Sequence, residues 1–230
     1  MKRFYPGAFR EAFVRSIPIL FSYVFISIAF GMLMAEKGFA WYVSLLVSLT
    51  VYTGAYQFVL VSFLAGGVSA GVVALTALLM NSRQAFYSLS FLEEFRRMGR
   101  RKCYMIATMT DETYAVNCSL SPDAPGRQDV MFFLAVLSRI YWLTGTVCGG
   151  LLGSFIPWDL TGIDFCMTAL FVILLLDQWE KREARVPALF GAGISLLCLT
   201  LFGADRFMLP ALLLTSAALL ARDRKGATRQ

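Results

Sequence analysis

Between Ile17 and Leu92 the chain carries only three charged side chains, Glu36, Lys37 and Arg83. A water-soluble fold cannot be built on such a stretch, because a soluble surface must show charge to water and hide its apolar groups. The whole chain of 230 residues leans the same way, with 58% apolar and 16% charged residues. Soluble domains hold roughly 45–50% and about 25%. The sequence is that of an integral membrane protein.

A bilayer core about 30 Å thick takes about 20 apolar helical residues. Eight stretches approach that length: 17–35, 41–65, 68–92, 103–120, 130–156, 163–179, 186–202 and 207–221. Runs such as Phe171 to Leu176 lack the period-two alternation of an outer-membrane barrel. The expected fold is an all-α polytopic helical bundle of seven or eight apolar segments. Six to eight of them cross the membrane, some broken or re-entrant. No long linker divides the chain, so residues 1–230 are expected to form a single transmembrane domain. The first stretch is longer than the core of a signal peptide and has no small-residue cleavage site after it, so it reads as a span.

The net charge of +6 is concentrated in residues 2–15, 96–102, 181–185 and 222–229. Basic residues beside spans favour the cytoplasm, which predicts short cytoplasmic ends at 1–15 and 222–230. If all eight stretches cross, the cluster at 96–102 falls on the wrong side. The conflict vanishes if 103–120 dips in without crossing and one of the two stretches before it does the same. All four clusters are then cytoplasmic, and the turn with Asp159 and Asp164 lies outside. Both arrangements place the irregular part of the bundle between about Tyr42 and Leu120. Clustered charge of this kind is no nucleic-acid footprint, which needs a continuous basic stripe.

Histidine is absent and no two of the five cysteines form a CxxC pair. Imidazole metal sites and Ser–His dyads are thereby excluded. No GxGD aspartate and no GxxxxGK[ST] phosphate loop is present. No catalytic group, metal site or cofactor is expected.

The polar side chains sunk in apolar stretches are the informative ones. Gly54, Ala55 and Gln57 sit in the second stretch, Asn81, Ser82, Arg83 and Gln84 in the third, and Thr110, Asp111 and Glu112 in the fourth. An ionised group at mid-bilayer costs about 2.5–3.5 kcal/mol, so it pairs or faces a watery cavity. On a helix, Asn81, Gln84 and Ser88 share one face, and Arg83, Tyr87 and Ser90 another. The natural partner of Arg83 is Asp111 or Glu112. Two readings stand: a buried ion pair that fixes helix register, or a polar cavity that binds a zwitterion. Gly54 either breaks its helix and frees backbone groups for a ligand, or admits a close helix contact. Gly145, Gly149 and Gly153 repeat every four residues and predict close helix packing. Arg139 reads as a side chain that snorkels to the membrane edge and is given no role. As an acid–base pair, the adjacent Asp111 and Glu112 would point about 100° apart on a helix and converge poorly on one bond.

These residues resemble the AzlC family of branched-chain amino acid permeases. The resemblance rests on Gly54-Ala55-Tyr56-Gln57-Phe58, on Asn81-Ser82-Arg83 followed by Tyr87, on Thr110-Asp111-Glu112, and on Trp142-x-x-Gly145-Thr146 ahead of a glycine-rich helix. It implies secondary active export of valine, leucine, isoleucine and similar amino acids across a prokaryotic inner membrane. It also implies a small hydrophobic partner of the AzlD type. Many relatives carry histidine directly after the motif arginine, where this chain has Gln84. A proton-coupling role for that histidine does not carry over, and Asp111 or Glu112 would take it if transport is proton-driven. The rival reading is a structural or assembly subunit whose partner carries the transport path.

Overall fold

A computed structural model describes residues 4–155, 172, 175, 176, 179, 182–203, 207, 210–215, 217 and 218, with backbone alone at Arg83, Arg182, Glu183 and Ala184. Every regular element among them is helical. The helices are α1 (Ala8–Glu36), α2 (Trp41–Thr50), α3 (Gly54–Gly66), α4 (Ala70–Ser90) and α5 (Leu92–Arg97). After a 3₁₀ turn at Gly99–Arg101 come α6 (Lys102–Ala107), α7 (Asp111–Ser119), α8 (Arg127–Phe155) and α9 (Arg182–Phe202). The backbone divides into two compact units, Met1–Gly66 with Asn81–Cys166, and Gly67–Met80 with Met167–Gln230.

The first unit is organised by α1 and α8, each 29 residues long. Glycine lets their backbones touch. A Cβ on Gly145 would collide with Ser27, one on Gly149 with the Ile28 carbonyl, and one on Gly31 with the Thr146 carbonyl. A Cβ on Gly153 would stand 2.7 Å from that of Ala35. Close backbone approach through small residues is how helices associate where no hydrophobic effect drives them together.

The pairing also fixes direction. The Tyr5 backbone N–H donates to Asp129 Oδ2 at 2.8 Å. Further along, the hydroxyls of Ser16 and Tyr141 lie 3.0 Å apart, and Ala35 meets Gly153 at the far end. The two helices therefore run parallel, and the intervening chain must return to where it began.

On the way it passes through two interrupted helices. The stretch 41–65 is not one helix but α2 and α3, parted at Val51, Tyr52 and Thr53. α2 runs against α8, since Ser44 lies near Gly150 and Ser48 bonds Thr146 at 3.0 Å. The stretch 103–120 is likewise α6 and α7, parted at Thr108, Met109 and Thr110. It leaves from the Arg127 end of α8, where Arg101 pairs with Asp129 at 2.8 Å. It returns to that end too, because Arg127 donates to the carbonyls of Asn117 and Leu120 and pairs with Glu94 at 2.7 Å. Residues 103–120 thus enter from and leave by one end of the unit, and the basic cluster at 96–102 shares that end with the N-terminus.

The core of this unit joins Ala12, Ile19 and Tyr23 of α1 to Met131, Leu134 and Trp142 of α8, with Phe91, Phe95, Met105 and Met109 filling the gap. In the second unit, α9 carries Pro187 within its length, and Gly191 faces Thr215 at 3.7 Å from an ideal Cβ. Three helices among the described residues are long and apolar enough to cross a membrane: Ala8–Glu36, Arg127–Phe155 and Arg185–Phe202. All but four residues of the stretch 163–179, part of 207–221, the acidic turn and the C-terminal tail lie outside the described residues.

Two outcomes follow from this geometry. In a cysteine-free background, Arg10→Cys and Arg100→Cys should react with a membrane-impermeant maleimide from the same face; labelling from opposite faces would overturn the parallel pairing. Gly149→Leu should part α1 from α8 and cost about 1–3 kcal/mol by overpacking. Thermal unfolding in detergent reads that loss, and an unchanged midpoint would show that the seam is loose.

Candidate functional site

Breaking a helix inside a membrane frees backbone groups that lipid cannot satisfy. At the first break, side chains do so. Gln57 Nε2 donates to the Val51 carbonyl, the Gln57 backbone N–H to Thr53 O at 3.0 Å, and Arg139 to Leu49 O at 2.7 Å. Gly54 opens α3 beneath the Trp142 indole, where a Cβ would sit 3.0 Å from the ring. Glycine here serves both the break and the close contact.

The second break is capped from within. Thr110 is extended, and its side chain and that of Thr113 each accept from the other's backbone N–H. Asp111 and Glu112 fill the first turn of α7, where the helix dipole favours negative charge. Thr108 donates to Tyr104 O at 2.7 Å, closing the end of α6.

Two side chains of the long helices join these breaks. From α1, the Tyr23 hydroxyl lies 2.6 Å from Thr110 Oγ1 and 2.7 Å from Glu112 Oε2 and donates toward both. From α8, Trp142 Nε1 donates to Gln57 Oε1 at 3.0 Å. The two rings meet edge to face at 5.3 Å. Tyr23 and Trp142 are each 4% exposed and Gln57 is fully buried, so the middle of the chain Glu112–Tyr23–Trp142–Gln57–Val51 runs through dry packing while its Glu112 end is exposed. A further link ties Thr53 Oγ1 to Gln84 Oε1 at 3.2 Å. Each such bond contributes about 0.5–1.5 kcal/mol net, but orphaning a buried partner costs about 1–3.

The structure gathers Gly54 and Gln57 on one side of this link and Thr110 and Glu112 on the other. Ala55 is half-buried in the first turn of α3, and Asp111 is half-buried beside Glu112, which is exposed. Gln84 reaches the first break from α4. Tyr87 stands apart from it, stacked on Tyr114 of α7 at 4.4 Å. Asn81 is half-buried, its Oδ1 without a hydrogen-bond partner. The Arg83 side chain, and with it the pairing to Asp111 or Glu112, lies outside the described residues. Gly145 and Gly149 lie in the α1–α8 seam, with Gly153 at its end.

Sequence reading missed Tyr23, Tyr52, Thr53 and Arg139, and took Trp142 only as a motif position. The available signal was a tyrosine in the middle of the first apolar stretch, an amphipathic side chain that seeks a partner when buried.

Fold and site define a polytopic helical membrane protein in which two discontinuous helices meet between two long ones. The chain belongs to the AzlC family: the AzlC protein family matches residues 18–156, which contain all the motif residues named above. The chain is 36% identical to the branched-chain amino acid transport protein AzlC of Bacillus subtilis, over 90% of this chain and 82% of that protein. It is 37% identical to an uncharacterized membrane protein of Helicobacter pylori strain J99, over 93% and 94% of the two chains. With the inner membrane protein YgaZ of Escherichia coli K12 it shares 31% identity over 83% and 84%. No solved structure matches the chain.

Tyr23→Phe removes the bond to both Thr110 and Glu112, so it should cost about 1–3 kcal/mol of stability. Paired with Glu112→Ala in a double-mutant cycle, the losses should be non-additive. Strict additivity in thermal unfolding would show that Tyr23 does not hold the carboxylate.

Proposed function

We propose that this protein is the large subunit of a secondary transporter that exports branched-chain or similar small apolar amino acids across the cytoplasmic (inner) membrane. The observation that carries the reading is Glu112. Its carboxylate bonds the buried Tyr23 about halfway along α1 and α8, at the junction of two broken helices, and yet the side chain is exposed. A carboxylate at that depth is tolerated where it faces water. Discontinuous helices at mid-membrane are a recurring way to hold amino-acid headgroups. The Bacillus relative named as a branched-chain amino acid transport protein supports the same substrate class.

In this reading Asp111 and Glu112 attract the substrate ammonium. Gly54 and Ala55 offer the start of α3, and Asn81, Arg83, Gln84, Tyr87 and Thr110 complete the polar lining. Gln57 is a positioning residue, since both ends of its amide hold the break. Side-chain specificity comes from apolar contacts worth about 1–3 kcal/mol per methylene, so leucine, isoleucine and valine are loosely separated. With no histidine in the chain, proton coupling falls to Glu112 or Asp111. Neither ATP nor covalent chemistry is required.

The same geometry favours a topology. α6–α7 re-enters from the cytoplasmic side, and α2–α3 from the other, since Phe58 packs on Phe30 toward the Glu36 end of α1 at 5.8 Å. The basic clusters at 2–15 and 96–102 then share the cytoplasmic side. The chain forms one transmembrane domain with short basic cytoplasmic ends. A small hydrophobic AzlD-type subunit completes the exporter.

The sealed state of Gln57 and Trp142 favours the second reading, an assembly subunit whose partner carries the path. One assay separates the two. Cells fed an isoleucine-containing dipeptide should accumulate more isoleucine without the gene, and Glu112→Gln should lower export per complex while abundance on a quantitative blot holds. Equal accumulation counts against transport; a fall in abundance alone favours the assembly role.

A further inference from the structure

Deepening the transporter reading, on which it rests, we propose that Arg139 receives the carboxylate of the transported amino acid and that the Tyr52 hydroxyl donates to the same carboxylate. Arg139 lies twelve residues into α8, roughly 18 Å from its start at about 1.5 Å per residue. That is mid-membrane. It precedes Trp142 by three residues and so shares its face, turned toward the first break.

The guanidinium is held but not neutralised. It donates to Leu49 O at 2.7 Å and lies 5.4 Å and 5.9 Å from the ring centres of Tyr52 and Tyr104. No carboxylate stands within ion-pair distance of it among the described residues. A guanidinium has five N–H donors, and capping the end of α2 leaves most of them free. Flanking rings hold a cation in orientation without cancelling its charge.

Tyr52 presents the matching deficit. It is 9% exposed, and its hydroxyl has no hydrogen-bond partner among the described residues. A half-buried cation with no carboxylate beside it among the described residues and a buried donor lacking an acceptor there thus adjoin at one break. Water would satisfy the hydroxyl but leave the charge. One carboxylate answers both, because it takes two parallel N–H bonds from arginine and has lone pairs left for a hydroxyl. The ligand class is an α-amino acid with its carboxylate free.

The test is leucine counterflow in proteoliposomes holding the full chain together with its small hydrophobic partner subunit, with leucinamide, which lacks the carboxylate, as competitor. The unmodified protein should prefer leucine over leucinamide by about tenfold or more. Arg139→Gln should raise the leucine KM about ten- to a hundredfold and abolish that preference. Arg139→Lys, which keeps charge but not the paired bonds, should fall between. Tyr52→Phe keeps the ring over the guanidinium; it should raise KM a few-fold at unchanged abundance, and it carries the test if Arg139→Gln does not assemble. Variants that keep the full preference for leucine would overturn this inference and leave the transporter reading standing. No leucine counterflow by the unmodified protein would overturn both.

Discussion

Hydrocarbon offers no hydrogen bonds, so any backbone group released from a helix within the membrane must find its partner in the protein. Both breaks in this molecule obey that constraint, by different means. Between α2 and α3 the partners are the nearby Gln57 amide, braced by the distant Trp142, and the distant Arg139 guanidinium. Between α6 and α7 they are local, a threonine capping box. The first break therefore exists only while α8 lies against it, and the second holds its own shape.

Because α1 and α8 run parallel, neither can be the neighbour the other reaches by a short turn. The chain between them must come back, and its two interrupted segments line the space between the long helices with helix ends. The glycines of the seam have a second consequence. They bring the α1 and α8 backbones close enough for Tyr23 and Trp142 to meet edge to face, which couples one break to the other. Loosening the seam would separate Glu112 from Gln57 without touching either.

Family membership and geometry answer different questions. One relative is named as a branched-chain amino acid transport protein, whereas the motif residues prove to hold different jobs once placed. Gln57 and Trp142 fasten a broken helix. Tyr87 supports α7 through Tyr114. Glu112 is both held by a buried partner and open to its surroundings.

Membrane insertion, the helical class and the presence of an irregular zone between about Tyr42 and Leu120 were legible in the sequence, because apolar runs and polar interruptions are local properties of the chain. Charge bookkeeping also narrowed the topology to two arrangements, and the return of 103–120 to the Arg127 end favours the one in which that stretch dips. What stayed hidden depends on residues far apart in the chain. Tyr23 looks like any interfacial aromatic until α7 is placed beside it, 89 residues later. Arg139 looks like a snorkelling side chain until α2 ends against it. Composition and spacing determined that polar groups had to meet within a bundle. Which groups met was decided by the packing of α1 on α8, since a hydrogen bond reaches only about 3 Å and only the tertiary fold brings such distant residues that close.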